Sequence, residues 1–435
     1  MKRHLIQELM AWKKAKEHKP IILRGARQVG KTHLIRQFAK KFDSFVEINF
    51  EKHQSARAIF EKDLNIEQII RNLELYTGKK ITPGKTLLFL DEIQEVPRAI
   101  IALRYFYEEC CELHVVAAGS LIEFAIESVG VPVGRVKFLY LYPMSFVEYL
   151  RAMGREMQVD HLTEHDPKQP LSPVIHHKLL GYVAEYMAIG GMPKVVKTWR
   201  DTKDIEMCAS IQLDIVKSYQ MDFEKYSKKH QIKYLSLIFD NIPQKIGKRF
   251  KFSKLPGEFR RRDLEPCFEL LKKAQVIQPI YHTDAQGIPL GAQINQDCYK
   301  IIFIDMALAQ RAMNMHPKDW FLQPETALAN KGSLVESFVG QEILAYSRME
   351  ETPALYYWQR HQKSSQAEVD YILQLGQEIL PIEVKSGQSG KLKSLNLFLE
   401  THPLSKYGVR ISVNPFSQEK KLHSYPLYAI FKLFQ

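Results

Sequence analysis

Gly25-Ala26-Arg27-Gln28-Val29-Gly30-Lys31-Thr32 has the spacing G-x-x-x-x-G-K-[ST]. It follows an apolar Ile21-Ile22-Leu23 and opens the helical pattern His33–Lys40, which is the strand-loop-helix context a phosphate cradle requires. The two glycines let backbone N–H groups turn inward around an anion, Lys31 brings a positive charge to β and γ phosphate oxygens, and the Thr32 hydroxyl is a Mg²⁺ ligand. Further on, Thr86-Leu-Leu-Phe-Leu-Asp91-Glu92 reads as a buried strand that ends in two carboxylates. Beside a phosphate loop, Asp91 is placed to hold the Mg²⁺ shell and Glu92 to polarise the attacking water. A further apolar run, Val115–Ala118, leads to Gly119-Ser120. Ser120 is read either as a γ-phosphate sensor or as a plain strand-to-turn serine.

A second group of carboxylates lies near the C-terminus. Glu368-Val-Asp370 sits on one strand-like run and Glu383-Val-Lys385 ends the next, with Glu336 on the helix before them. Strand alternation points Asp370 and Glu383 to one edge, where with Glu336 they could hold one or two divalent cations, while Lys385 could orient a hydrolytic water. The order of these residues resembles the PD-(D/E)XK nuclease fold. That resemblance implies Mg²⁺, with Mn²⁺ as the alternative at this site, and DNA cleavage; the other reading is a unit that keeps the fold with an idle or purely binding site.

Between Lys245 and Arg262 eight cations stand against one acid, Glu258, with Phe250, Phe252 and Phe259 interleaved. The run Asp263–Ala274 is helical and is followed by hairpin-like Val276–Tyr281 and Tyr299–Asp305. Helices followed by a two-stranded wing resemble a winged helix, with Arg260, Arg261 and Arg262 at the N-terminus of the recognition helix. DNA is then the partner; a solvated charged face, or a winged helix that serves a protein contact, is the alternative.

Elements of three kinds must position these groups. The chain has 435 residues, 45% hydrophobic and 25% charged, which excludes wholesale disorder and fibrous repeats and leaves room for several domains. Alternating apolar runs and helical stretches in residues 1–160 predict an α/β domain with a parallel sheet, on which Leu5, Leu9 and Trp12 pack a leading helix. Residues 172–325 read as a helical and winged-helix-like domain. Residues 326–435 read as an α-β-β-β-α-β unit whose second helix spans Lys391–Leu399. Sixty-one Lys and Arg against 49 Asp and Glu leave a charge of +12, a field that attracts polyanions. The five cysteines form no CxxC pair or even framework, and the N-terminus has no apolar signal-like region. No apolar run is long enough to span a bilayer, so a cytoplasmic protein with no membrane partner is expected.

Taken together, the phosphate loop, Leu90-Asp-Glu-Ile-Gln94, Ala118-Gly-Ser120, Gly134-Arg135, Tyr142-Pro-Met-Ser-Phe-Val-Glu-Tyr149 and Gly190-Gly-Met-Pro193 resemble the prokaryotic AAA-type ATPases that carry an uncharacterised C-terminal domain. The resemblance runs over most of the chain. It implies a P-loop NTPase fold and assigns Arg135 as a nucleotide-sensing residue or arginine finger, which calls for a homo-oligomer if it acts in trans; read from its Gly-Arg turn alone, Arg135 is equally a solvated loop residue. The chain has no base-reading N-K-x-D motif after these elements, so ATP is expected rather than GTP. The function expected is ATP binding and hydrolysis coupled to DNA binding and to Mg²⁺-dependent cleavage by the C-terminal unit. The alternative is a slow, nucleotide-gated DNA-binding or signalling switch with an inactive nuclease-like unit.

Overall fold

The computed structural model describes residues 1–61, 63–130, 134–347, 354–360, 367–387 and 392–435. Five strands, β1 (Ile21–Arg24), β2 (Ser44–Asn49), β3 (Thr86–Asp91), β4 (His114–Ala118) and β5 (Lys137–Tyr140), form a parallel sheet in the order β2-β3-β4-β1-β5. Every residue of β3 and β4 is buried, as befits strands covered on both faces. Alternation divides them cleanly. Leu87 and Phe89 of β3 face one core together with Ile21 and Leu23, while Leu88 and Leu90 face a second core together with Ile22. The leading helix Leu5–Lys14 buries Leu5, Leu9 and Trp12 in the first of these cores, as its spacing predicts. The short fifth strand β5 is not among the runs expected from sequence, although three of its four residues, Phe138, Leu139 and Tyr140, are apolar or aromatic.

Residues 173–241 are helical, in Pro173–Ile189, Pro193–Thr202, Ile205–Tyr226 and Lys229–Asn241. The polar stretch His161–Pro173 starts inside another helix, Glu156–Glu164, and Pro173 occupies the first turn of the next, where a missing N–H is harmless. The expected recognition helix is present as Arg261–Lys273.

The hairpin after that helix is not a free wing. Strands β6 (Ile277–Thr283) and β7 (Ile294–Phe303) do pair antiparallel, but β6 also pairs in parallel with β8 (Leu355–Gln359). The hairpin thereby joins an eight-stranded sheet with β9 (Glu368–Leu375), β10 (Glu378–Lys385), β11 (Gly408–Ser412), β12 (Ser417–Glu419) and β13 (Leu422–Pro426), ordered β12-β13-β11-β10-β9-β8-β6-β7. The boundary expected between residues 325 and 326 therefore crosses one continuous sheet. Alone, β8 would expose its N–H and C=O groups along a strand edge, and β6 satisfies them. The helix read as Lys391–Leu399 is Lys393–Thr401, and Lys391 lies outside the described residues. Among the described residues no helix is long and apolar enough to cross a membrane.

Candidate functional site

Loop residues 25–30 leave the C-terminal end of β1, and the helix Lys31–Ala39 begins directly after them. Gly30 has φ 98°, a left-handed conformation that suits glycine. At Gly25 a Cβ would lie 2.5 Å from the Leu141 carbonyl oxygen, so no side chain fits there. Gln28 too is left-handed, at φ 67°, which completes the inward curl of the loop.

At the head of that helix Lys31 is buried, at 8% exposure. Its Nζ donates to the carbonyls of Gly25 at 2.6 Å and Ala26 at 3.0 Å. Burial pushes this amine down to about 8, an effect the Glu92 and Asp91 carboxylates only partly offset. An ammonium held against neutral carbonyls, without a paired anion, is an incomplete electrostatic arrangement.

Strand order explains why the remaining groups converge. The middle strand β4 lies between β1 and β3, so Ser120 after β4 falls between the phosphate loop and Asp91. Thr32 Oγ1 donates to Asp91 Oδ2 at 3.1 Å, and Asn49 Nδ2 donates to the same oxygen at 3.0 Å. Burial, and next the Glu92 charge, raises the Asp91 carboxyl above its usual range. Thr32 and Asp91 are the donors that would hold a Mg²⁺, and their direct contact shows that the two oxygens meet. Glu92 comes next with a left-handed φ of 51°, and its Oε2 accepts from Gln94 Nε2 at 2.7 Å. A Cβ on Gly119 would collide with Gln94 Oε1, so the small residue before Ser120 makes room for this glutamine.

A cavity of about 650 Å³ opens beside the loop, lined among others by Arg27, Glu92, Gln94, Ser120, Phe124 and Lys225. Its size falls within the roughly 300–1,000 Å³ usual for small-molecule sites. The helix Ile205–Tyr226 closes it from the far side. Asp222 of that helix pairs with Arg27, Tyr219 Oη donates to the Arg27 carbonyl at 2.7 Å, and Gln28 Nε2 donates to Ser218 Oγ at 3.0 Å. From below, Arg3 Nη1 donates to the Val29 carbonyl at 2.9 Å.

Arg135 needs correction. It precedes β5, whose residue Lys137 pairs with Ile21 at the start of β1, so it lies at the sheet edge opposite the phosphate loop. There it pairs with Glu108 at 2.9 Å. No role at this chain's own nucleotide site is open to it; an action on a neighbouring copy is a separate matter.

The C-terminal carboxylates converge, but around a residue that sequence reading missed. Lys300 of β7 is 1% exposed, with Nζ 2.9 Å from Glu336, 2.5 Å from Glu368 and 3.7 Å from Asp370. Burial would lower this amine, but Glu336, Asp370 and Glu368 outweigh it and hold it well above the usual lysine range. Asp370 Oδ2 accepts from the Val384 N–H at 2.8 Å. Lys385, expected to orient water, donates to Glu383 Oε1 at 2.5 Å. Burial raises Glu383 to about 7, and it pushes Glu336 upward against the opposing pull of the Lys300 ammonium. Among the described residues no group of His, Cys, Asp and Glu has the arrangement of a metal site. The expected set Glu336, Asp370 and Glu383 does not fit a divalent cation while an ammonium stands among its oxygens.

The basic segment divides in two. Lys248, Arg249, Lys251, Lys254, Arg260 and Arg262 are exposed. Arg261 is tied to Glu265 at 2.7 Å and Asp297 at 2.5 Å. Phe250 is core, stacked with Phe268 and Tyr299, so it is unavailable to a base.

Three of the residues missed had a local signal. Asn49 is the polar residue near the end of the apolar run Phe45–Phe50, Gln94 stands two residues past the carboxylate pair, and Lys225 sits three residues after Asp222. Lys300 had none.

Residues 17–150 match the AAA domain family. Residues 181–319 and 331–430 match two families described as a Domain of unknown function, DUF8612 and DUF4143. No curated protein matches. Among solved structures the chain is similar to the Walker-type ATPase PABY2304 of Pyrococcus abyssi, at 13% identity, over 71% of this chain and 94% of that one, with a TM-score of 0.44. It is also similar to the S. cerevisiae Hsp104-ADP complex, at 13% identity, over 63% of this chain and 39% of that one, with a TM-score of 0.31. A third is Drosophila ORC bound to DNA, at 12% identity, 63% and 86% coverage and a TM-score of 0.28. The N-terminal domain is thus an AAA-type P-loop domain, by the family its residues match and by its own parallel sheet and loop.

Proposed function

We propose that this chain binds and hydrolyses ATP. The observation that carries the reading is Lys31, an ammonium buried against neutral carbonyls at the head of a helix, beside the Thr32–Asp91 pair and a cavity of nucleotide size. The loop N–H groups and the helix N-terminus receive phosphate oxygens, and Lys31 exchanges its two carbonyl partners for β and γ oxygens. Thr32 and Asp91 would hold a Mg²⁺, which would supply charge neutralisation at those oxygens. Glu92 takes a proton from the attacking water and Gln94 fixes the carboxylate that does so, while Ser120, which lines the same cavity, serves in this reading as the γ-phosphate sensor. The test is phosphate release by wild type, Lys31→Met and Glu92→Gln. Glu92→Gln should retain ATP and turn it over at least about a hundred-fold more slowly. Equal turnover in all three chains would overturn the reading.

DNA binding is the second reading, favoured by the seven exposed cations of the 245–262 segment, five of which have no ion pair among the described residues. Neutralising Arg260 and Arg262 should flatten the slope of log affinity against log salt by about one unit per lost phosphate contact. An unchanged slope moves the surface elsewhere.

A further inference from the structure

The C-terminal cluster gathers Glu336 from the helix Gly332–Tyr346, Glu368 and Asp370 from β9, and Glu383 from β10. Four carboxylates so close repel one another unless cations stand between them. Lys300 comes from the edge strand of the sheet. Its strand β7 is separated from β9 by β6 and β8, about 14 Å at roughly 4.8 Å per strand, a span that an extended lysine and a carboxylate side chain cover together. The Nζ lies 2.5 to 3.7 Å from one oxygen of each of Glu368, Glu336 and Asp370, and 5.2 Å from the Tyr357 ring centroid on β8. These are charge-assisted contacts from three directions.

A divalent cation bound by the same oxygens would need them at about 2.0–2.6 Å, in the volume the ammonium fills. The two cations cannot share it, because like charges a few ångströms apart in a buried site repel strongly. The residue expected to serve hydrolysis is engaged as well, since Lys385 is paired with Glu383 Oε1 at 2.5 Å. One group remains unfinished: Glu383, 5% exposed, has a buried Oε2 without a hydrogen-bond partner.

We infer that Lys300 is the resident cation of this cluster, so that the C-terminal unit is built around an internal ammonium in place of a divalent metal. Its work is to fasten the β6–β7 hairpin to β9 and to the helix Gly332–Tyr346. Cleavage chemistry is closed to the cluster as long as Lys300 stays, and the unpartnered Glu383 oxygen marks where a metal could enter if it left. The inference stands on the C-terminal cluster alone and is independent of the ATPase reading.

The test uses the full chain, free of nucleotide and stripped of metal, titrated with Mn²⁺ and monitored by electron paramagnetic resonance and thermal melting. Wild type and Asp370→Asn should take up the same amount of Mn²⁺, any uptake at Thr32 and Asp91 being common to both. Lys300→Met should melt lower, take up an additional Mn²⁺ and regain part of the lost melting temperature with it. Lys300→Met combined with Asp370→Asn should lose both gains. The inference is overturned if Asp370→Asn removes a Mn²⁺ that wild type binds, or if Lys300→Met melts like wild type and gains no metal. Should Lys300→Met fail to fold, the wild-type and Asp370→Asn pair decides by itself.

Discussion

Two buried lysines, Lys31 and Lys300, are 8% and 1% exposed and face opposite electrostatic situations. The Lys31 ammonium rests on two backbone carbonyls of its own loop, and burial draws it down to about 8. Three carboxylates surround Lys300, and it is held well above the usual range. Both were desolvated on folding, so burial by itself tells nothing about role. The partner set does. An ammonium given only neutral acceptors is arranged for an anion that arrives later, and one given three carboxylates has already been neutralised. The first pattern marks a binding site and the second an internal fastening.

The contrast is broken most severely at Lys300. Lys300→Met leaves buried carboxylates without their cation and should destabilise the nucleotide-free chain by about 3–5 kcal/mol in urea unfolding. A loss near zero would mean that solvent or other groups already screen the cluster.

Next in size is Lys31→Met, whose effect on stability should have the opposite sign. The folded value of about 8 lies below the 10.5 of a free lysine, so this residue's cost is fully present below pH 8 and is relieved as pH rises from 8 towards 10.5. Removing the amine should therefore stabilise the nucleotide-free chain at pH 7, by up to about 3 kcal/mol. The same variant should lose about two orders of magnitude in kcat/KM for ATP. Destabilisation together with normal turnover would place Lys31 in the structural class with Lys300.

Proton linkage sharpens the comparison further. Above pH 8 the unliganded Lys31 releases its proton and must recover it to hold phosphate, so ATP affinity should fall by up to about tenfold per pH unit between 8 and 10. Calorimetry in buffers of different ionisation enthalpy should show the proton uptake, and Lys31→Met should abolish it. At the cluster the sign reverses. Glu383, raised to about 7 by burial, contributes stability that is present below the ordinary glutamate range and is lost as pH rises through 7. Melting between pH 6 and 8 should show this loss, and Glu383→Gln should remove about 1 kcal/mol of it.

The smallest effect concerns the tie between the phosphate loop and the helix Ile205–Tyr226. Arg27 is more than a third exposed, so Asp222→Ala should change stability by less than about 1 kcal/mol. Any larger change in ATP affinity measured beside it would show that the Arg27–Asp222 pair positions the loop and does not merely cap it.

Legibility depended on chain distance. Gly25 to Thr32 are contiguous, and their chemistry depends on local backbone curl and on the helix that starts at Lys31, so residue types and spacing alone placed them. Asp91 and Glu92 were legible as the end of an apolar strand, although the meeting of Asp91 with Thr32 required β3 to lie two places from β1. The carboxylates Glu336, Asp370 and Glu383 were read onto the right elements, and their convergence was anticipated. Arg135 was placed by resemblance, and strand direction moved it to the opposite edge of the sheet. The cation among the carboxylates was out of reach: Lys300 precedes Glu336 by 36 residues and sits on a strand whose alternation suits a free wing equally well. A period-two pattern tells which face of a strand is apolar but not which strand becomes its neighbour. Only the parallel pairing of β6 with β8 brings Lys300 to Glu368, because that pairing arises from backbone groups, identical in every residue, that carry no signature in the sequence.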